Sequence, residues 1–480
     1  MARLPEEFIE EVRARNDIVD VISQYVHLQK KGNRYWGLCP FHGEKTGSFS
    51  VRPDNQFFYC FGCHAGGNVF QFIQKIDRVD FLQAVEKLAE RANMEIPEAT
   101  DGGGRRGPNR REQRERLLQA GKLAAQHYHA QLMAPVGREA LDYLTGRGLD
   151  LRMIRRFGLG FAPEGWHGLK DALLRAGVAE QTLLEAGLMQ NKEGRTYDTF
   201  RNRVMFPILA EQGGVLGFGG RVMDGSLPKY LNSTDTPIFN KRKNLYGMHV
   251  LSKQRGLARI ILCEGYMDVL AMHQAGFSNA AASLGTALTE EQARLIHRYV
   301  DEVVLAYDGD GAGQAASLRG MEILQHAGLE VRVAVMPDGL DPDDVVRKRG
   351  REAMQEVLDR ALPLPEYHMQ RIRGEYDLSQ PYERAQYANR CCQEVLSKLD
   401  SDVERSVYIQ RLHLDTGISE VDIRSQTERA LRQEGEGATA YRAGKIRDTK
   451  AENPQSAQER PGKNQHKALQ EAERRVLVTL

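Results

Sequence analysis

The chain has 480 residues, 41% hydrophobic and 27% charged, values typical of a soluble globular protein with about two to four domains. Its formal net charge of +1 gives no indication of nucleic-acid binding, so any such surface must come from local segregation of basic residues. The chain lacks a run of about 18 apolar residues and a signal peptide, so we expect a cytoplasmic protein with no membrane partner. Its six cysteines are too few for a disulfide framework.

Two metal-binding motifs lie near the N-terminus. Cys39 and His42 form a Cys-x-x-His, Cys60 and Cys63 form a Cys-x-x-Cys, and a hairpin of the 17 residues between the pairs can bring them together. Zinc prefers four such ligands in a tetrahedron, and a two-residue gap lets one turn present two of them. We therefore predict one structural zinc ion, since four protein ligands leave no open position for catalysis.

The alternative for Cys60 and Cys63 is a redox-active dithiol, which requires a helix opening at the motif. Gly62, Gly66 and Gly67 instead favour a tight turn after a strand. The adjacent His64 is interpreted as a surface residue.

Basic and aromatic residues interleave around the zinc motifs, a mixture that can track a phosphate backbone and stack unpaired bases. They are Lys30, Lys31, Arg34, Lys45 and Arg52 with Tyr35, Trp36, Phe49, Phe57, Phe58 and Tyr59. At least half of these aromatic residues are expected to form the core of a small domain. The aromatic residues that remain on the surface, together with the basic residues, predict a surface that contacts single-stranded nucleic acid.

Composition changes predict the domain organisation. The zinc-binding domain covers residues 1–98 and ends in two amphipathic helices, and a flexible basic linker follows over residues 99–116. Residues 117–257 are predicted to be a mixed α/β region with short strands. Its accumulated basic residues are Arg201, Arg203, Arg221, Lys229, Lys241, Arg242 and Lys243.

Apolar strands alternate with helices over residues 258–345, which predicts a parallel sheet covered on both faces. Residues 346–432 are predicted to be helical, residues 433–465 to be a disordered linker, and residues 466–480 to be the first helix of a further domain. The predicted fold class is therefore multidomain α/β.

Acidic residues follow the predicted parallel strands. Glu264 ends one strand, Asp308 and Asp310 end another, and Asp268 lies one helical turn beyond Glu264. The segment after the next strand adds Asp338, Asp341, Asp343 and Asp344. Any one of these residues can be a helix cap or a solvated loop residue, but acids at three converging strand ends favour a magnesium site.

Nine segments in order resemble the bacterial replicative DNA primase family, from about residue 5 to residue 430. They are CPFH, CFGC, RVMFPI, GFGGR, PKYLNS, CEGYMD, SLGT, YDGDGAG and DPDD. The resemblance implies a zinc-ribbon module that engages single-stranded template, a basic mixed α/β subdomain, a topoisomerase-primase (toprim) domain with a parallel sheet, and a C-terminal helical subdomain. The implied activity is that of a DNA-directed RNA polymerase, a nucleotidyltransferase that joins ribonucleoside triphosphates into short primers for replication.

The resemblance also implies roles for particular residues. Glu264, Asp308 and Asp310 match the catalytic acids, with Glu264 proposed to assist proton transfer. These three, with Asp268, Asp341 and Asp343, resemble the acids that hold two or more magnesium ions, for which manganese can substitute. The positions that resemble the basic surface for triphosphate and template are Arg147, Arg203, Arg221, Lys229 and Lys241. The zinc ligands would be Cys39, His42, Cys60 and Cys63.

The family continues into a C-terminal domain that docks on the replicative helicase. The chain ends at Leu480, about where that domain would begin, so we expect a fragment or a divergent end, and helicase binding stays open. A monomer is expected.

Two other functions share part of this pattern. A type I topoisomerase needs a tyrosine nucleophile and a strand-gripping arch, for which there is no room after Gly350. A zinc-containing toprim mediator of recombination is typically shorter and lacks the GFGGR and PKYLNS segments.

Overall fold

A computed structural model describes residues 4–77, 79, 81–94, 109–285, 287–307 and 314–432. The chain divides into two compact units after Leu364. Within the described ranges, no helix has both the length and the apolar character needed to span a membrane. The predictions for Asp308, Asp310, residues 99–108 and residues 433–480 lie outside the described residues.

The N-terminal part of the first unit is a small antiparallel sheet with helices on either side of it in the chain. Helices α1 (Glu6–Ala14) and α2 (Ile18–Ile22) precede the sheet, and α3 (Val69–Asp77) and α4 (Phe81–Arg91) follow it. The strands lie in the order β1 (Gln29–Lys31), β2 (Arg34–Gly37), β3 (Phe49–Arg52), β4 (Phe57–Cys60) and β5 (Gly66–Gly67). Strands β3 and β4 form the predicted hairpin between the two ligand pairs. We call residues 4–94 the zinc module.

Helix α5 (Asn109–Met133) begins inside the stretch predicted to be a flexible linker. The prediction is therefore wrong for residues 109–116. This stretch is rich in arginine and glutamate, and its charges pair one helical turn apart, with Arg111 Nε 3.2 Å from Glu115 Oε1. The same helix buries Leu117 completely, so packing as well as charge pairing favours the helical state.

A mixed α/β subdomain follows. Its helices are α5, α6 (Arg138–Gly146), α7 (Leu151–Arg156), α8 (Gly168–Arg175), α9 (Glu180–Glu185) and α10 (Met248–Leu251). Its strands are β6 (Gly160–Ala162), β7 (Met189–Lys192), β8 (Arg195–Asp198), β9 (Arg203–Leu209), β10 (Val215–Arg221) and β11 (Tyr230–Asn232). Strands β11, β10, β9 and β6 form an antiparallel sheet in that order, and β7 pairs with β8. Helix α5 approaches β6 closely, because a β-carbon on Gly160 would lie 2.5 Å from Tyr128 Cβ.

The predicted parallel sheet follows and is confirmed. Its strands are β12 (Arg259–Cys263), β13 (Ala280–Ala282), β14 (Glu302–Ala306), β15 (Glu330–Val333) and β16 (Leu362–Pro363). In the spatial order β13-β12-β14-β15-β16 the first four are parallel, and β16 adds an antiparallel edge that the sequence did not predict. The helices are α11 (Tyr266–Gln274), α12 (Glu290–His297), α13 (Gln314–His326) and α14 (Pro342–Asp359). Cys263 lies opposite both Ala282 and Ala306, so the carboxyl ends of three strands are aligned at one edge.

The second unit is helical, as predicted. It contains α15 (Leu364–Arg373), which starts at the boundary, α16 (Pro381–Glu394), α17 (Asp402–Thr416) and α18 (residues 420–432). Short 3-10 turns elsewhere cover Pro135–Gly137, Lys241–Lys243, Pro337–Gly339 and Leu396–Lys398. Cys391 and Cys392 belong to the core of this unit, and burial raises the pKa of the Cys391 thiol to about 12, which fits packing rather than chemistry.

Candidate functional site

The four predicted zinc ligands come together in the zinc module. One ligand atom from each of Cys39, His42, Cys60 and Cys63 lies within 4.8 Å of the others. Cys39 Sγ is 3.7 Å from Cys63 Sγ, and Cys60 Sγ is 3.8 Å from His42 Nδ1. A tetrahedral zinc ion with bonds of about 2.0–2.3 Å places its ligand atoms roughly 3.5–3.8 Å apart, so this donor set fits zinc.

Backbone amides surround the thiols. The amides of Gly62 and Cys63 each lie 3.4 Å from Cys60 Sγ, and that of Phe41 lies 3.4 Å from Cys39 Sγ. Burial alone would raise the pKa of the Cys60 thiol, but the Cys63 amide, the Ser48 hydroxyl and the Gly62 amide lower it to about 7. At Cys60 a thiolate, the form that binds zinc, is therefore accessible at neutral pH, whereas burial raises the pKa of the neighbouring Cys39 thiol to about 12.

The redox alternative for Cys60 and Cys63 is not supported by the local structure. It requires a helix opening at the motif, whereas Cys60 ends strand β4 and the chain turns into strand β5 at Gly66. His64 is exposed, and its Nδ1 lies 3.0 Å from the Tyr59 hydroxyl rather than among the ligands.

The aromatic residues of the zinc module divide into a core set and a surface set. Phe49 and Phe58 are fully buried. Phe61 is 53% exposed and stacks on Trp36 with ring centroids 5.9 Å apart, and Tyr59 meets Phe61 edge-on at 5.1 Å. Phe49, Phe58 and Tyr35, which packs against the same core, are half of the six predicted aromatic residues, in agreement with the expectation that at least half are core. Phe61 is a surface member that the sequence analysis missed.

The predicted acids gather at the carboxyl edge of the parallel sheet, as far as they are described. Glu264 is exposed directly after β12. Carboxylate oxygens of Asp341, Asp343 and Asp344, at the start of α14, lie within 4.8 Å of one another. Oxygen ligands in such a cluster suit a hard divalent cation.

Asp268 already has local partners. Its carboxylate accepts from the Gly265 amide at 3.0 Å, which caps helix α11, and from the Asp343 amide at 3.4 Å. The side chain therefore joins the Glu264 strand end to the start of α14. Direct metal binding by Asp268 stays a prediction.

Asp343 forms an ion pair that sequence spacing could not indicate. Its Oδ2 lies 2.8 Å from Arg147 Nη2, and the side chains of Asp343 and Arg147 are 1% and 27% exposed. Burial raises the pKa of Asp343, and the guanidinium of Arg147 opposes that shift. We call the carboxyl edge of the parallel sheet with these acids the acidic edge; its described members are Glu264, Asp268, Asp341, Asp343 and Asp344. Arg147 contacts this acidic edge directly, although it comes from a different subdomain.

The remaining predicted basic residues differ in accessibility. The Arg221 guanidinium carbon lies 5.2 Å from the ring centroid of Tyr143 and 5.4 Å from that of Tyr230, and the guanidinium donates to the Tyr230 hydroxyl at 3.2 Å. Lys229 is exposed and Lys241 is half-buried.

Arg203 is only 8% exposed, and its Nη1 donates to the carbonyls of Gly220 at 3.1 Å and Pro228 at 3.0 Å. This geometry favours a supporting role for Arg203 over direct contact with a triphosphate. The sequence gives no indication that Arg203, a basic residue in a strand motif, is buried.

A hydrogen-bond chain that the sequence analysis missed connects several of the motifs. The Tyr266 hydroxyl donates to Asn232 Oδ1 at 2.7 Å, and Asn232 Nδ2 donates to the Leu284 carbonyl at 2.7 Å. Gly219 makes room for the Tyr266 ring, since a β-carbon there would lie 2.5 Å from it. The GFGGR, PKYLNS, CEGYMD and SLGT segments therefore meet around one tyrosine.

A buried glutamine fixes the turn that carries Lys241. Gln292 Nε2 donates to the carbonyls of Lys241 and Asn244, both at 2.9 Å, and its side chain is fully buried. Thr289 Oγ1 donates to the Arg242 carbonyl at 2.5 Å. The capping box of Thr289 and Gln292 is visible in the sequence, but it predicts only the start of α12 and not these contacts with the turn.

Family models match four consecutive segments of the chain. They are described as a CHC2 zinc finger over residues 4–103, a DNA primase catalytic core N-terminal domain over residues 127–252, a Toprim-like domain over residues 261–346, and a DnaB-helicase binding domain of primase over residues 365–420. The last match begins far upstream of residue 466, where the helicase-binding region was expected to start.

The chain is similar to DNA primases of several bacteria. It is 42% identical to the DNA primase of Clostridium acetobutylicum over 417 residues, which cover 87% of this chain and 69% of that protein. It is 39% identical to the DNA primase of Escherichia coli K12 over 443 residues, which cover 91% of this chain and 75% of that protein.

The chain is also similar to solved structures of bacterial primases. The crystal structure of the Aquifex aeolicus primase, with its zinc-binding and RNA polymerase domains, matches with a TM-score of 0.56 and 31% identity, covering 87% of this chain and 98% of that one. A DnaG primase catalytic domain bound to single-stranded DNA matches with a TM-score of 0.57 and 37% identity, covering 65% of this chain and 99% of that one.

Proposed function

The chain belongs to the bacterial DNA primase family, whose activity is template-directed synthesis of RNA primers for DNA replication, and we propose which of its residues perform each part of that activity. The zinc module binds template, the acidic edge of the parallel sheet joins nucleotides, and basic residues of the mixed subdomain hold the triphosphate. The observation that carries the proposal is the cluster of Asp341, Asp343 and Asp344 at the start of α14, in which Asp343 pairs with Arg147 of the neighbouring subdomain.

The acidic edge is proposed to hold two or more magnesium ions, for which manganese can substitute. Asp308, Asp310, Asp341 and Asp343 supply the carboxylates, and Asp268 orients the start of α14 through the Asp343 amide. When bound, such ions lower the pKa of the 3′-hydroxyl of the primer and neutralise charge on the α-phosphate and the departing pyrophosphate.

Glu264 is proposed to accept the proton of the attacking 3′-hydroxyl. Its side chain is exposed at the end of β12 and can reach a substrate, whereas the Asp268 and Asp343 side chains are buried. A carboxylate that is exposed to substrate suits a group that must exchange protons.

Arg221, Lys229 and Lys241 are proposed to hold the triphosphate. The ring contacts fix the plane of the Arg221 guanidinium, which favours bidentate contact with phosphate oxygens. Gln292 and Thr289 hold the Lys241 turn through its carbonyls, so the lysine side chain itself is left to bind substrate. Arg203 supports the same region by ordering the Pro228 carbonyl.

Single-stranded template is proposed to contact exposed aromatic and basic residues. In the mixed subdomain, the Arg201 guanidinium lies 4.2 Å from the ring of Trp166 and 5.1 Å from that of Tyr197, and Trp166 is 57% exposed. In the zinc module, Trp36 and Phe61 form a comparable stack at the surface. Such surfaces stack unpaired bases and bind phosphates in a salt-sensitive way.

A replicative helicase is the proposed protein partner, because the match to a helicase-binding domain of primase covers residues 365–420 of this chain. The chain would act as a monomer in the bacterial cytoplasm, where replication takes place. The proposed boundaries are those of the sequence analysis with two changes: helix α5 starts at Asn109, and residues 365–420 rather than residues 466–480 are the proposed helicase-binding region.

The direct test is incubation with single-stranded DNA, labelled ribonucleoside triphosphates and magnesium. We expect short RNA products that depend on template and are lost when a chelator removes the magnesium. If no RNA forms on any of several templates while DNA binding persists, the recombination-mediator alternative gains support. A covalent tyrosine–DNA adduct would instead favour the topoisomerase alternative.

A further inference from the structure

Glu44 lies beside the four zinc ligands, and its carboxylate is occupied on both oxygens. Oε1 accepts from the Cys39 amide at 2.6 Å and from the Ser48 amide at 3.1 Å, and Oε2 accepts from the Ser48 hydroxyl at 2.5 Å. Its side chain is only 10% exposed. A carboxylate held this firmly is unusual for an acidic residue in a short loop, because such residues are ordinarily solvated.

The two ring nitrogens of His42 face different partners. Nδ1 lies 3.8 Å from Cys60 Sγ, on the side of the ligand cluster, whereas Nε2 lies 3.3 Å from Glu44 Oε2. A neutral histidine carries one proton, and a carboxylate favours the proton on the nitrogen that it faces. The arrangement therefore leaves the lone pair on Nδ1 for metal binding and the proton on Nε2.

Ser48 extends this network to a second ligand. Its hydroxyl oxygen lies 2.5 Å from Glu44 Oε2 and 3.2 Å from Cys60 Sγ. Gly62 makes room for the arrangement, because a β-carbon there would lie 2.7 Å from His42 Nε2 and 3.1 Å from Ser48 Oγ. One carboxylate is thus connected to three of the four ligands: to Cys39 through its amide, to His42 through its ring and to Cys60 through Ser48.

We infer that Glu44 is the positioning residue of the zinc site, fixing His42 as an Nδ1 ligand and orienting Cys39 and Cys60. This inference rests on the proposed zinc ligand set. Metal-binding histidines commonly donate their second ring N–H to a carboxylate, and loss of such a partner lowers metal affinity by about 10- to 100-fold.

The test uses the full chain with Glu44→Gln, which keeps the shape of the side chain and removes its charge. Zinc affinity is measured by competition with a chromophoric chelator, and the substituted protein is compared with the parent and with Glu90→Gln. Glu90 is an exposed glutamate on helix α4 of the same module, so this control makes the same chemical change away from the ligands. We expect Glu44→Gln to bind zinc about 10- to 100-fold more weakly and Glu90→Gln to match the parent.

A second measurement separates positioning from general destabilisation. Nitrogen-15 NMR of the zinc-bound parent should show His42 protonated at Nε2 and coordinated through Nδ1. Ser48→Ala, which keeps Glu44, should retain this tautomer while weakening zinc binding less than Glu44→Gln does. This readout does not require that Glu44→Gln fold.

Two results would overturn the inference: coordination of His42 through Nε2, or a Glu44→Gln zinc affinity within about twofold of that of Glu90→Gln, well short of the expected loss. A parent protein without zinc would instead remove the ligand set on which the inference rests. The zinc content of the parent therefore distinguishes failure of the proposed zinc site from failure of the role given to Glu44.

Discussion

The zinc module and the acidic edge are built to bind metals in opposite ways. The four zinc ligands come from one short segment and face one another, whereas the described acids come from distant segments and have protein partners: Asp343 pairs with Arg147, and Asp268 accepts from two amides. Thiolates crowded together need the cation, while carboxylates with their own donors can exist without it. The comparison indicates a permanent metal in the zinc module and an exchangeable one at the acidic edge.

The largest expected effect is loss of the permanent metal. Cys60→Ser removes one of four ligands, and structural zinc supplies roughly 10–16 kcal/mol of apparent binding free energy in small domains. We expect the zinc content to fall from about one per chain to near zero and residues 4–94 to become sensitive to protease, while the rest of the chain stays folded.

Metal analysis and limited proteolysis check this prediction. Cys391→Ser changes a buried cysteine of the second unit and should keep the zinc. If Cys60→Ser kept its zinc, the zinc module would not differ from the acidic edge in holding a permanent metal. Cys60 and Cys63 would then be interpreted again as a redox-active dithiol.

The next effect concerns catalysis alone. Glu264→Gln should lower the rate of primer synthesis by at least about 100-fold, because loss of a general base commonly has that consequence. Zinc content and thermal stability should not change, since Glu264 is exposed. The matched control is Glu330→Gln, at the beginning rather than the end of strand β15 of the same sheet. Normal synthesis by Glu264→Gln would exclude it from the reaction.

A smaller effect is expected from removing Arg147, the positive charge that pairs with Asp343 at the acidic edge. Arg147→Ala leaves the buried Asp343 carboxylate without its partner, and we expect a loss of about 1–3 kcal/mol in the free energy of unfolding, because Arg147 is partly exposed. Chemical denaturation in magnesium-free buffer measures it. Adding Asp343→Asn should recover part of the loss, and Arg138→Ala, at an exposed site at the start of helix α6, should have little effect. A change below about 0.5 kcal/mol would contradict the pairing.

The last effect, the smallest when it is counted per histidine and per pH unit, is acid sensitivity of the core apart from any metal. Burial lowers the pKa of His249 and of His273 from 6.5 to about 4, with smaller contributions from Arg156 and, for His249, from His273 and Lys253. The unfolded chain therefore binds protons between roughly pH 6.5 and 4 that the folded chain does not, so stability present above pH 6.5 is lost as the pH falls, by up to about 1.4 kcal/mol per pH unit for each histidine.

Denaturation curves between pH 7 and 5 measure this slope. His249→Leu should reduce it and His297→Leu, at an exposed site, should not. An unchanged slope in His249→Leu would place the acid-sensitive group elsewhere.

The sequence predicted the zinc site well because its geometry is local. Ligand type and spacing determine which atoms can meet, and a hairpin is the simplest connection between the pairs. The parallel sheet was equally predictable from alternating apolar strands and helices. What the spacing did not reveal was Glu44, which looks like any loop acid until its contacts with Cys39, His42 and Ser48 are seen.

The sequence was a poorer guide where partners are distant. The ion pair between Arg147 and Asp343, and the burial of Arg203 against the Gly220 and Pro228 carbonyls, depend on how separate segments pack. The start of α5 at Asn109 was missed for a different reason, since composition indicates a solvated tether but does not exclude a helix stabilised by charge pairs and one buried face.

The hydrogen-bond chain through Tyr266 limits how this enzyme can be dissected. Phe206 and Leu216 of the mixed subdomain share one hydrophobic core with Ile261 and Leu270 of the toprim domain, and the Tyr266 ring stacks on Phe206 within it. Cutting the chain at residue 257 would leave each fragment with an apolar face and unsatisfied polar groups. The two subdomains differ in sheet topology but share one core. We therefore expect that neither can be replaced or expressed without the other.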